Sequence, residues 1–161
     1  IGTDNLDENL DEKATIINPL FFMIVNSAVV PKKNSDIIYL KGTEHQKIVD
    51  VKIADKDYDF ILDTGASVSL ISKTTINDLL LNGVITNRNF LGKDYTTTAD
   101  GSKHLVEFWN IPNIIVGGKK INDVNFAVMD GNIEPLLGMN IINKLNIWKM
   151  DLKDYKIYLN N

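Results

Sequence analysis

The strongest chemical signal in this chain lies in residues 60–67, Phe60-Ile61-Leu62-Asp63-Thr64-Gly65-Ala66-Ser67. A carboxylate placed directly after an apolar strand is costly unless something satisfies it or uses it. Such an acid can give or take a proton at a reacting group. Gly65 lets the backbone turn tightly and approach its surroundings closely. Thr64 and Ser67 bring hydroxyls near the acid. On these residues alone, a strand-ending turn capped by its own aspartate is an equal reading.

Other chemistries find less support. The chain has no cysteine, so it offers no disulfide or thiolate metal site. Its two histidines, His45 and His104, fall on predicted strands and stand in no metal-ligand spacing, which argues against a zinc enzyme. A net charge of -4 with no basic run argues against nucleic acid as a partner. Trp109, Trp148 and the aromatic residues near the C-terminus read as core. Asp130-Gly131 reads as a turn, not as a second acid loop.

The elements that must hold Asp63 are short strands. With 161 residues and a 44% hydrophobic share, the chain fits one domain, or one domain plus an extension. Residues 45–53 alternate polar and apolar, the period of a half-buried strand. Residues 54–57 form a turn, and 58–62 return as the strand that delivers Asp63. Residues 67–71 form another strand. Ser72 or Thr74 can cap a short helix through residues 76–81, which Asn82-Gly83 stops. Asp100-Gly101 is a hairpin signal between strands 93–99 and 103–109, and Gly117-Gly118 is another between 114–116 and 121–129. Residues 138–145 have helical spacing, with Ile141, Ile142 and Leu145 on one side. Residues 147–150 and 155–159 close the chain as a hairpin. Turns at this spacing predict a small all-β, barrel-like domain.

Three segments in order carry a resemblance. Asp63-Thr64-Gly65-Ala66-Ser67 is similar to the active-site signature of the retropepsin-like (retroviral-type) aspartic proteases, with bacterial-type members most similar. Glu134-Pro135-Leu136-Leu137-Gly138-Met139-Asn140 resembles the family's second signature, in which Leu136, Leu137 and Gly138 pass behind the active-site loop and brace it. Thr98-Ala99-Asp100-Gly101 resembles the glycine-tipped flap that closes over substrate. The resemblance covers about residues 43–161 and implies a small closed barrel with short helices, one lobe per chain.

It also implies a reaction. Asp63 becomes one of two carboxylates that share a proton, because close neighbours do not readily both ionise. The ionised one activates water, and the protonated one polarises the scissile carbonyl. Asp-Thr-Gly occurs once and Asp-Ser-Gly not at all, whereas two-lobed pepsin-like enzymes carry the loop twice. The second Asp63 is therefore expected from a homodimer partner across a two-fold axis. The expected activity is endopeptidase cleavage of extended peptide or protein substrates, with no metal and no cofactor. Apolar subsites are expected from Ile61, Val116 and their neighbours. The rival expectation is a non-proteolytic binding or assembly module on the same fold.

Residues 1–36 are expected to be an N-terminal extension or arm, and residues 37–161 the protease domain. The chain ends, 147–150 and 155–159, and the apolar arm near 20–25 are candidates for a sheet shared by two copies. The apolar stretch 15–30 is interrupted and falls short of the ~20 apolar residues of a spanning helix, so any membrane anchor belongs upstream. Resemblance to bacterial members points to a periplasmic or membrane-associated setting, with a cytoplasmic one as the alternative. Leu20-Phe21-Phe22-Met23 is an apolar run of the kind such enzymes cut, so self-removal of the extension is a hypothesis. N-terminal sequencing of aged protein checks it: a new terminus in that run supports it, and an unchanged terminus sinks it.

Overall fold

Alternation of buried and exposed side chains builds the first hairpin. The computed structural model describes residues 36–98 and 100–160. After β1 (Ile37–Tyr39) and β2 (Lys41–Gly42), Val49, Val51 and Ile53 point inward from β3 (Lys47–Ile53), with Asp50 and Lys52 outward. The turn into β4 (Lys56–Leu62) is only Ala54-Asp55, tighter than the expected four residues, with Ala54 at φ 52°. The acid loop then leads to β5 (Ser69–Ser72) and α1 (Lys73–Leu81). Ser72, not Thr74, caps that helix: its hydroxyl accepts from Thr75 N–H at 3.1 Å.

Next come β6 (Phe90–Thr97), β7 (Lys103–Val116) and β8 (Lys119–Met129). The chain finishes with β9 (Leu136–Leu137), α2 (Met139–Ile142), a 3-10 turn at Asn143–Leu145, β10 (Ile147–Asp151) and β11 (Lys156–Leu159).

Pairing runs β3-β4-β9-β5-β8-β7, and a further β7–β3 pairing closes these strands into a ring. This is the closed barrel expected from sequence. Phe60, Phe126, Val51 and Ile111 fill it without solvent contact, with the two phenyl rings edge-on at 6.1 Å. Fully burying side chains of this size contributes about 1.5–3 kcal/mol each.

Several expectations change. β7 is one strand where two were expected, and it runs straight through Pro112. Its pairing with β6 ends at Trp109 and that with β3 begins at Ile115. Pro112 has no N–H to give to β8, and the β7–β8 ladder skips it opposite Asp123, whose φ is 52°, before resuming at Asn113 opposite Asn122. His45 lies in the bend ahead of β3 and not on a strand, while His104 is on β7.

β11 is flanked inside its own chain by β1 (Ile38 opposite Ile157) and by β10 (Met150 opposite Ile157). Of the two C-terminal strands expected to offer an edge to a second copy, only β10 retains one among the described residues. The expected arm near 20–25, and the extension as a whole up to residue 35, lie outside the described residues. Among the described residues, no helix is long and apolar enough to cross a membrane.

Candidate active site

β4 ends at Leu62 between two neighbours, β3 and β9, the latter pairing Leu62 with Leu137. The next residue, Asp63, is half-buried, and its N–H donates to the Leu137 carbonyl at 3.0 Å. Its Oδ1 accepts from Gly65 N–H at 2.8 Å, which fixes the direction of the carboxylate. Ala66 N–H closes the turn onto the Asp63 carbonyl at 3.3 Å. Glycine at 65 serves the close approach expected of it. Its φ is not in the left-handed region; instead, a Cβ there would meet Asp63 Oδ1 at 3.2 Å. The site needs close approach of backbone to carboxylate.

Behind the loop, the second signature makes direct contact. Met139 N–H donates to the Ala66 carbonyl at 2.8 Å and Asn140 N–H to the Ser67 carbonyl at 3.2 Å. A Cβ on Gly138 would lie 2.8 Å from Ala66 O, 2.9 Å from Val68 C and 3.0 Å from Ser69 N, so only glycine fits.

Two residues to which the sequence alone assigned no role lock this contact. Ser69, with 0% exposure, donates from its hydroxyl to Asn140 Oδ1 at 2.7 Å and accepts from Gly138 N–H at 2.9 Å. Asn140 Oδ1 also accepts from Ser69 N–H at 2.9 Å, and its amide donates to the Asn125 carbonyl at 2.7 Å. The available signal was parity: Ser69 shares a strand face with buried Ile71, so its hydroxyl needed a partner.

In front of the loop is a cleft of about 400 Å³. Asp63, Gly65, Ala66 and Ser67 line it, together with Val68, Leu70, Ala127, Met129 and Leu136. Thr96, Thr97 and Thr98 reach it from the β6–β7 hairpin. The apolar lining thus corrects the expected subsites. Val116 is fully buried where β7 meets β3, and neither it nor Ile61 touches this cleft.

Thr64 turns instead to a second groove of about 570 Å³, shared with Leu62, Leu152 and Tyr155. Leu137 is buried behind the loop, and Gly138 is its packing point.

At the hairpin tip, Asp100 accepts from Thr98 Oγ1 at 2.6 Å, and from Ser102 N–H and Oγ, both at 3.0 Å. The Thr98 hydroxyl, followed by the Ser102 donors, lowers the Asp100 carboxyl to about 2. Gly101, at φ 84°, makes the turn. The expected flap residue Ala99 lies outside the described residues.

This is the arrangement of a single-lobed aspartic protease: an acid loop at a barrel strand end, a glycine brace behind it and a hairpin in front. Residues 49–144 match the family described as "gag-polyprotein putative aspartyl protease", and the chain belongs to that family. Its fold is similar to that in the crystal structure of a retropepsin-like aspartic protease from Rickettsia conorii. The TM-score is 0.54 at 20% identity, covering 80% of this chain and 100% of that one. No curated protein matches the chain.

Proposed function

We propose that the protein is an aspartic endopeptidase whose catalytic dyad is Asp63 together with Asp63 of a second copy. The observation that carries this reading is the hold on the acid. A carboxylate oriented by Gly65 N–H, on a loop pinned from behind, lines an apolar-walled cleft reached by a hairpin.

One carboxylate cannot be both general base and acid in the same step, and the chain carries the loop once. In the dimer, the ionised Asp63 takes a proton from water as its oxygen adds to the scissile carbonyl. The protonated Asp63 hydrogen-bonds the carbonyl oxygen, and its proton passes to that oxygen. Collapse of the tetrahedral gem-diol breaks the C–N bond and sends a proton to the departing amine. Nothing is bonded covalently to the enzyme.

The β6–β7 hairpin serves as the flap. Its Thr96–Thr98 segment lies along the cleft, and an extended peptide fits there as an added strand. Val68, Leu70, Met129 and Leu136 favour apolar side chains.

Asp63→Asn is the discriminating variant, because its amide oxygen still accepts from Gly65 N–H and so spares the loop. Peptide-mixture cleavage read by mass spectrometry between about pH 4 and 7 should show loss of at least about 100-fold in rate. Equal cleavage by wild type and variant removes Asp63 from the chemistry. A wild-type protein that is dimeric and folded yet cleaves nothing supports the binding-module reading instead.

A further inference from the structure

The β6–β7 hairpin extends beyond the sheet that supports it. Its strands pair with each other out to Thr97 opposite Lys103, but the β7–β8 pairing stops at Glu107 opposite Val128. Everything distal to that pair has no third strand under it among the described residues. Glu107 therefore stands at the root of the hairpin's unsupported part.

An unusual set of donors meets there. Lys73, the first residue of α1, bonds Glu107 Oε2. Trp109 Nε1–H donates to the same oxygen at 3.0 Å. Lys93, directly across the strand pair on β6, approaches Oε1 at 3.5 Å. The Lys73 ammonium also lies 5.7 Å from the centre of the Trp109 ring.

One carboxylate thus joins both strands of the hairpin to the start of the helix. That helix follows directly from β5, whose Leu70 lines the cleft and whose last residue, Ser72, pairs with the cleft residue Met129. The Glu107 side chain is 23% exposed, which screens the pairs less than open solvent does. Lys73, and then Trp109, hold its carboxyl below the usual carboxylate range. The charge is therefore present above the ordinary value of 4.5 and persists some way below it.

We infer that Glu107, held by Lys73 and Lys93, is a positioning clamp that sets the angle of the β6–β7 hairpin over the catalytic cleft. It touches no reacting atom; it fixes the root from which Thr96–Thr98 reach the substrate. The inference rests on the hairpin's acting as a flap.

Two readouts test it on the full chain. In Glu107→Gln, hydrogen exchange at amides of residues 94–98 and 102–106 should speed up about tenfold, while the barrel strand 48–52 stays unchanged. With a cleavable peptide, KM should rise about tenfold and kcat stay within about twofold, since the clamp acts on binding geometry and not on the acid.

Unchanged hairpin exchange overturns the clamp. So does an equal rise in the barrel, which marks a merely structural role. If the wild type cleaves no peptide but the hairpin exchange rises alone, the clamp stands and the protease reading falls.

Discussion

Asp100 shows how a single residue can be tuned without burial. It is exposed at the hairpin tip, yet three donors from Thr98 and Ser102 hold its carboxyl at about 2. Because the pKa is depressed on folding, the tip's bonds are complete above the ordinary carboxylate value of 3.8 and are lost only as pH falls towards 2. Thr98→Val removes the largest contribution. The Asp100 carboxyl, followed by carbon-13 NMR, should then titrate nearer 3.8; an unchanged midpoint contradicts the account.

At this scale the sequence was legible wherever chemistry is local. Asp63 and Gly65 lie two positions apart, and their hydrogen bond follows from that spacing. Ser69 and Asn140 are 71 positions apart, and nothing in either segment names the other. Their pairing appears only once β9 has been laid between β4 and β5.

Elements transmit that pairing to the acid. β9 is two residues long, yet it bridges β4 and β5 and hands the chain to Gly138, where no side chain fits. Ser69→Ala leaves Gly138 N–H without its acceptor and removes one donor from Asn140. Stability should fall by about 1–3 kcal/mol, the cost of a buried polar group left unpaired. Urea unfolding measures it, and a loss below about 0.5 kcal/mol would show that the brace does not depend on this hydroxyl.

Hairpins with Asp-Gly or Gly-Gly turns were readable because the turn chemistry is carried by adjacent residues. β1 and β2 were not, since strands of three and two residues have too little alternation to register. The passage of β7 through Pro112 was hidden for a different reason. Proline argues against a strand interior, and the β8 pairings on either side of Pro112 that carry β7 past it are not visible in its own segment. The misplacement of Val116 has the same origin: alternation shows that it is buried, but not at which end of the barrel.

For the whole molecule, the account depends on two copies. The described residues supply one acid loop, one brace and one hairpin, half of what the proposed chemistry requires. β10 keeps an open edge among the described residues, and the groove beside Thr64 adjoins the acid loop, where the two-fold axis of the proposed dimer would pass.

The most direct test is to mix active and inactive chains. Equal amounts of wild type and Asp63→Asn, co-expressed so that subunits assort freely, should retain about a quarter of the activity of the same total of wild type, because only wild-type pairs carry two acids. Retention of about half would mean that each chain works alone, and the shared dyad would be wrong.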